Sequence, residues 1–198
     1  GCGEANEKIL VSERVDYHSS PAMAANTSSA FEMAGKRIDD MDYIDIYSCF
    51  PSAVEIGCDE LGLRYDDPRG LTVTGGLPFF GGPGNNYSMH AIATMLPLLR
   101  AAPSKFGLVT ANGGYLSKHA TGIYSATATK GRWRRESPAT YQADIDKMAS
   151  PEFIETPSGK ASVETYTVCC KRGIPQPGII IGRLHGSDQK FVANTPDD

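Results

Sequence analysis

The sequence has 198 residues and a formal net charge of −4, from 19 Lys and Arg against 23 Asp and Glu. Its 40% hydrophobic and 21% charged residues suit an ordinary domain with a small appendage and argue against a disordered or membrane protein. The acidic balance argues against nucleic-acid binding, which depends on clustered Lys and Arg. The unusual counts are 21 Gly and 13 Pro.

The first segments predict a helix, a strand and a second helix. Residues 1–20 are polar and predict irregular structure. A helix is expected from Ser20-Pro21, because proline is tolerated in a first helical turn. Its apolar face, with spacings of three and four, consists of Phe31, Ala34, Ile38 and Met41.

A strand is expected over 42–47, with Ile44 and Ile46 on one side. Pro51 opens the second helix. The apolar stripe of this helix consists of Val54, Cys58 and Leu61.

The middle of the chain is rich in glycine and proline. The stretch 67–86 predicts a loop, a short strand over 71–74 and a long structured turn. A third helix is expected over 86–100, kinked or shortened by Pro97. Its predicted buried face consists of Met89, Ile92, Leu96 and Leu99.

Two further strands, over 106–110 and 119–128, complete this part of the chain. The alternation predicts an α/β half-domain with layers and a mixed sheet over residues 1–129.

The composition changes after Thr129. A basic segment containing Trp133 and a linker come first, then a possible short helix over 141–148. Val-, Thr- and Tyr-rich strands are expected over 161–171, 178–184 and 190–193, with a turn over 186–188. Residues 130–198 are therefore predicted to form a small β-rich domain.

The cysteines and histidines give no sign of a metal site. Five cysteines form an odd count without a Cys-x-x-Cys pair, and four histidines lie far apart. This usage favours a reducing, cytoplasmic compartment. The sequence starts without Met and without a signal-peptide pattern, so we expect a fragment or a processed chain.

The first candidate site is Tyr47-Ser48-Cys49-Phe50, where the predicted strand ends before a helix. Ligands commonly bind at such strand ends in α/β sheets, and a helix N-terminus can lower the pKa of a thiol. Alternatively, Cys49 is a small buried hydrophobic residue and Tyr47 a packing residue.

The second candidate is the glycine-rich stretch 75–86, directly before the third helix. Its glycines permit close approach of a ligand to main-chain N–H groups, although no Walker or dinucleotide motif is present. The alternative is a structural turn. His90 lies one turn into the helix, where a histidine is more often a packing residue than a catalyst.

The third candidate is Ala111-Asn112-Gly113-Gly114, followed by Lys118-His119. A strand ending in Gly-Gly can present N–H groups to an oxyanion, whereas Asn-Gly also favours a hairpin turn. A fourth candidate, Trp133 with its flanking arginines, could contact an anion but reads more simply as a solvated linker.

The three turns together resemble the C-terminal half of a thiolase-superfamily protein, closest to the sterol-carrier-protein-type thiolases. The matching segments are Tyr47–Phe50, Gly75–Gly84 and Ala111–Gly114, within about residues 15–128. The β-rich tail resembles the additional C-terminal domain of thiolase-like protein type 1, which is usually OB-like. Such proteins are often labelled acetyl-CoA acetyltransferases.

The resemblance implies acyl transfer or Claisen-type chemistry on a coenzyme A thioester in a full-length protein. The family histidines fall at Tyr47 and Gly82, and the family's acid/base cysteine falls at Ala111. The replacements cannot supply that chemistry, which favours the alternative of a non-catalytic acyl-CoA- or partner-binding module. We expect the fragment alone to be inactive.

The candidate catalytic residues are therefore Tyr47, Cys49, His90 and His119. The candidate cofactor-binding residues are Gly81, Gly82, Pro83, Gly84, Asn112, Gly113 and Gly114. The expected partners are acyl-CoA as a substrate that is not covalently bound, a missing N-terminal thiolase half and a second copy of the protein. Neither a membrane nor nucleic acid is expected as a partner.

Overall fold

The computed structural model describes residues 1–129 and 133–196. The chain divides into two compact units: Gly1–Ile9 with His18–Met148, and Leu10–Tyr17 with Ala149–Asp198. The predicted domain boundary at 129/130 stays a prediction. Lys130, Gly131 and Arg132 of the basic segment lie outside the described residues, whereas Trp133 is exposed.

The first unit contains a mixed four-stranded sheet with helices, which confirms the predicted fold class. Its elements are β1 (Cys2–Asn6), α1 (Pro21–Ala34), β2 (Tyr43–Asp45), α2 (Pro51–Leu61), α3 (Leu77–Phe80), α4 (Tyr87–Ala101), β3 (Phe106–Gly113), β4 (Lys118–Ser125) and α5 (Ala139–Asp146). The strand order is β1-β4-β3-β2. Strands β2 and β3 are parallel, and the other pairs are antiparallel.

Local signals set both ends of α1, and its start at Pro21 agrees with the prediction, whereas the predicted apolar face runs past its end. The Ser20 hydroxyl accepts a hydrogen bond from the Met23 N–H at 3.2 Å, which caps the helix start. The helix ends at Gly35, which has a φ of 59°. Ile38 and Met41 therefore lie beyond the helix, although both pack in the same hydrophobic cluster as Ala30.

The prediction of irregular structure at the N-terminus is wrong for residues 2–6. These residues form β1, which pairs with β4 from Cys2↔Gly122 to Asn6↔Lys118. Gly3 packs closely on α1, because a Cβ there would clash with the carbonyl oxygen of Asn26. The sequence of β1 has little β propensity, so the strand depends on this tertiary packing and pairing.

The buried face of α4 also differs from the prediction. Ala91, Met95 and Leu99 are buried, whereas Met89 is 62% exposed and Leu96 36% exposed. The helix continues through Pro97 to Ala101.

The segment 71–74 forms bends rather than the predicted strand. It follows β2 through one backbone hydrogen bond, from the Ile46 N–H to the Leu71 carbonyl at 2.9 Å. A single bond does not make a ladder, so the segment stays irregular.

The second unit contains a small antiparallel sheet, as predicted. Its strands are β5 (Ala161–Lys171), β6 (Ile174–Leu184) and β7 (Lys190–Asn194), in the order β5-β6-β7. The turn over 186–188 contains Gly186 and Asp188, both with positive φ. The OB likeness of this domain stays a prediction. No helix in the described ranges is long and apolar enough to span a membrane.

A buried lysine holds the segment 10–17 within the second unit. The Lys190 ammonium is fully buried and lies 3.2 Å from the Glu164 carboxylate. It also donates to the Arg14 carbonyl at 2.8 Å and the Tyr17 hydroxyl at 3.1 Å. Burial raises the pKa of Glu164, but hydrogen bonds from Arg183, Tyr17 and Lys190 outweigh burial and lower the pKa below its usual value.

We expect Lys190→Met to lower the free energy of unfolding by about 3 kcal/mol, because it removes one member of a buried ion pair. Arg183 and Tyr17 still donate hydrogen bonds to Glu164 in this variant, so the carboxylate keeps two of its partners and the loss of stability stays moderate. The measurement is denaturant unfolding of the chain, with exposed Lys160→Met as the control. Equal unfolding midpoints for the two variants would contradict this role.

Candidate functional site

The ends of β2 and β3 lie beside one cleft of about 350 Å³ in the first unit. Parallel strands present their carboxyl ends at the same edge of a sheet. Tyr47 follows β2, and Ala111, Asn112 and Gly113 end β3. Asn85, just before α4, and Ser88, in its first turn, complete this side. The cleft therefore contains residues from the first and third predicted motifs and one residue, Asn85, from the end of the second.

The opposite side of the cleft is formed by β1 and β4. Its lining residues are Glu4, Asn6, Lys118, His119 and Ala120. The Glu4 carboxylate is paired with Arg135 at 2.8 Å. The lining thus combines one cation, one paired carboxylate and three asparagine amides, which are groups that orient a polar ligand.

Cys49 is exposed and contacts the cleft residue Asn112. The Asn112 Nδ2 donates to the Cys49 Sγ at 3.2 Å. Burial raises the pKa of the Cys49 thiol, and the Asn112 hydrogen bond only partly offsets this. The contacts of Cys49 within this chain therefore do not lower the pKa of its thiol, as activation of a nucleophilic cysteine requires, and its catalytic role stays a prediction.

His119 lines the cleft from a buried position. Its Nε2 lies 3.1 Å from the Leu116 carbonyl and 3.2 Å from the Ser20 hydroxyl. Because a carbonyl only accepts, Nε2 carries the proton and donates to it. Ser20 in turn caps α1 and donates to Glu7 at 3.0 Å. These contacts explain His119 as a packing residue, and its catalytic role stays a prediction.

His90 belongs to the surroundings of the glycine-rich stretch rather than to the cleft lining. Its Nε2 lies 3.0 Å from the Asn86 amide, and its ring contacts Phe80 at 5.2 Å between centroids. The structure therefore does not bring the four candidate catalytic residues into mutual contact.

We call Gly75–Gly84 the glycine loop. It docks on the first motif, because the Leu77 N–H donates to the Ser48 hydroxyl at 2.9 Å. Gly76 has a φ of 83°, and a Cβ there would lie 2.8 Å from the Ser48 oxygen. The predicted binding residues Gly81, Gly82, Pro83 and Gly84 are all exposed.

Asn112 and Gly113 are the last residues of β3, paired with His119 and Lys118. Gly114 begins the turn to β4, with a φ of 65°. The backbone of this third motif therefore forms the turn of a hairpin between β3 and β4, as the alternative interpretation predicts. The side-chain carbonyl of Asn112 is buried and has no hydrogen-bond partner in the described part of the chain, so it is an unsatisfied acceptor beside the cleft.

Sequence reasoning missed a buried polar network beneath the glycine loop. Its members are Asp45, Thr72, Thr74 and Tyr87. The available signal was a carboxylate in the middle of a short apolar strand. A search of the described residues finds no group of three His, Cys, Asp or Glu that could hold a metal ion.

Comparison with known proteins gives two kinds of match. Residues 140–198 match the family model of the thiolase-like protein type 1 additional C-terminal domain. A monomeric SCP2-thiolase like protein type 1 from Mycobacterium smegmatis shares 44% identity with a TM-score of 0.91. The alignment covers 100% of this chain and 43% of that one.

The dimeric peroxisomal thiolase of Saccharomyces cerevisiae aligns with 19% identity and a TM-score of 0.47, over 62% of this chain and 28% of that chain. No curated protein matches the sequence. The chain thus spans less than half the length of the M. smegmatis protein.

We expect Cys49 to be alkylated only at a higher pH than an ordinary cysteine is, because burial raises the pKa of its thiol. Asn112→Leu removes the hydrogen bond that lowers this pKa and shifts the alkylation profile to still higher pH. The measurement is the pH dependence of iodoacetamide labelling of the Cys49 peptide by mass spectrometry. Asn86→Leu, which lacks that contact, is the control. A shift to lower pH in Asn112→Leu would contradict the assignment.

Proposed function

Since the chain belongs to the thiolase superfamily, we propose that it forms one wall of an acyl-CoA site in a full-length protein. The observation that carries this proposal is the convergence of Tyr47, Asn85 and Asn112 on one cleft. These residues come from, or lie next to, the three segments that match thiolase motifs.

The cleft chemistry suits an acyl-CoA thioester. Its asparagine side chains offer donors and acceptors for the amides of a pantetheine arm. Lys118 offers a positive charge for a phosphate. The buried Asn112 carbonyl lacks a partner among the described residues, and an N–H or O–H of the ligand would satisfy it once the side chain turns toward the cleft.

Binding without Claisen chemistry is the conclusion that the side chains favour. That chemistry needs a base and a proton-donating thiol near the substrate α-carbon. Tyr47, Gly82 and Ala111 stand where the family residues are expected. Burial raises the pKa of Tyr47, so the phenol stays protonated and supplies no base.

Acyl transfer is the second candidate, favoured by the 3.2 Å contact between Asn112 and Cys49. The contact puts a thiol beside the cleft. Such a role would require another residue to deprotonate Cys49, and that residue would have to come from the rest of the full-length protein.

We expect the full-length protein to bind coenzyme A in isothermal titration calorimetry. Asn112→Leu removes one polar contact and weakens binding by roughly 2- to 12-fold. Gln176→Leu, on β6 in the second unit, is the matched control and leaves affinity unchanged. Absence of binding by the wild-type protein would refute the proposed acyl-CoA site.

The assay that separates the two candidates is thiolysis of acetoacetyl-CoA by the full-length protein. We expect no detectable turnover. A measurable kcat that Cys49→Ala or His119→Ala abolishes would establish acyl transfer in place of binding alone.

The exposed face of α4 suits the remaining half of a thiolase fold as partner. Met89, Ala93, Leu96 and Pro97 are exposed and share this face, while Ala91, Met95 and Leu99 are buried on the other. Apart from Arg100 this face is apolar, and a helix with two apolar faces is normally buried on both. A missing N-terminal half would cover it, in keeping with the 43% coverage of the M. smegmatis chain. Self-association stays a prediction.

We expect Leu96→Glu to lower the free energy of unfolding of the full-length protein by about 2 kcal/mol or more, because a buried unpaired carboxylate is costly. Ile174→Glu, on exposed β6, is the control with a small effect. The measurement is denaturant unfolding. Equal stability of both variants would show that this face of α4 is not covered.

A further inference from the structure

Asp45 is fully buried at the end of β2, and its hydrogen-bond partners in the described part of the chain are neutral. Its Oδ2 accepts from the Thr72 hydroxyl at 2.9 Å and from the Val73 N–H at 3.0 Å. Its Oδ1 accepts from the Tyr87 hydroxyl at 3.3 Å. Only a carboxylate accepts on both oxygens, whereas an asparagine would turn an N–H toward one of these donors.

The hydroxyls bound to Asp45 continue to the start of the glycine loop. Because the Thr72 hydroxyl donates its proton to Asp45, its lone pairs remain free for the Gly75 N–H at 3.1 Å. The Thr74 hydroxyl likewise accepts from the Gly76 N–H at 3.1 Å and lies 2.6 Å from the Tyr87 hydroxyl. A carboxylate at the end of such a chain polarises and strengthens each bond in it.

The same network reaches the first motif through Tyr87. The Tyr87 ring meets the Tyr47 ring edge-on at 5.2 Å and the Phe80 ring at 6.3 Å. Tyr47 lines the cleft, and Phe80 belongs to the glycine loop. The Tyr87 side chain thus contacts Asp45 through its hydroxyl, and the loop and the cleft through its ring.

The glycine loop depends on such anchors. Gly75 and Gly81, before and after α3, have φ values of 91° and 99°. Glycine loses more conformational freedom on ordering than any other residue, so a glycine-rich segment needs additional contacts to hold one conformation. The bonds to Thr72, Thr74 and Ser48 supply the restraint.

We propose that Asp45 is a positioning residue that holds the glycine loop in place and thereby sets the affinity of the cleft for acyl-CoA. The part that concerns affinity rests on the proposed function. The part that concerns the loop does not. Asp45 does not touch the ligand in this role, because Thr72, Thr74 and Tyr87 lie between it and the loop.

The first test is Asp45→Asn in the full-length protein, with hydrogen exchange of residues 75–84 measured by mass spectrometry. We expect exchange there to accelerate roughly tenfold or more, as a local opening becomes easier. Asp42→Asn is the matched control, since Asp42 pairs with Lys105 and the Phe106 N–H outside this network. If Asp45→Asn fails to fold, Tyr87→Phe keeps the ring and removes only the hydroxyl, with a smaller acceleration expected.

Unchanged loop exchange in a folded Asp45→Asn variant, or in Tyr87→Phe where that variant replaces it, would overturn the proposal. Faster exchange with unchanged calorimetric affinity for coenzyme A would overturn its second part. Failure of the wild-type protein to bind coenzyme A would refute the proposed function, while the exchange comparison still decides the role of Asp45 in the loop.

The pH profile of coenzyme A affinity separates positioning from a general loss of stability. Burial raises the pKa of Asp45, and Tyr87 is the titratable group that contacts it. Protonation at acidic pH weakens the acceptor, so wild-type affinity is expected to fall as the pH falls through this raised pKa. The Asp45→Asn variant is expected not to show this fall in affinity at acidic pH. The same fall in the wild-type protein and in the variant would contradict the positioning role of Asp45.

Discussion

The parallel pairing of β2 with β3 is the constraint on which the rest of the first unit depends. The register runs from Tyr43↔Gly107 to Asp45↔Val109, so both strands end at one edge of the sheet. The chain segments that leave this edge carry Tyr47 and Asn112 into the same cleft. A different register would turn Asp45 toward the Ile44 side and break the polar network.

Two faces of one short strand serve different purposes. Ile44 and Ile46 pack with Leu108 in the main hydrophobic cluster. Asp45 lies on the opposite side and accepts hydrogen bonds from Thr72, in the segment before the glycine loop, and from Tyr87 in α4. The strand therefore joins the core to the polar network beneath the glycine loop. The burial of the carboxylate is offset by hydrogen bonds from Thr72, Val73 and Tyr87 rather than by a cation among the described residues.

Short-range signals predicted much of this fold. The start of α1 at Pro21, the proline that opens α2 and the position of β2 depend on neighbours in sequence, and the structure agrees with each, although β2 is shorter than the predicted 42–47. Strand β1 could not be predicted, because its pairing with β4 joins residues more than 100 positions apart. The buried position of Lys190 also depends on distant partners, since Tyr17 and Arg14 come from the other end of the chain.

The error in α4 has a physical cause. Periodicity assigns one apolar face, but α4 has two, and Met89 and Leu96 lie on the face that is exposed. The pattern alone therefore does not decide which of the two faces packs on the rest of the first unit.

In the region of the cleft, the groups that hold the backbone in place differ from the side chains at the positions of the family's catalytic residues. Main-chain N–H groups and the Ser48 hydroxyl hold the glycine loop on the first motif, and these contacts do not depend on the residue at position 82. Loop geometry can therefore persist while the acid and base groups change. Burial raises the pKa values of both Tyr47 and Cys49, so neither side chain loses its proton as readily as an ordinary tyrosine or cysteine.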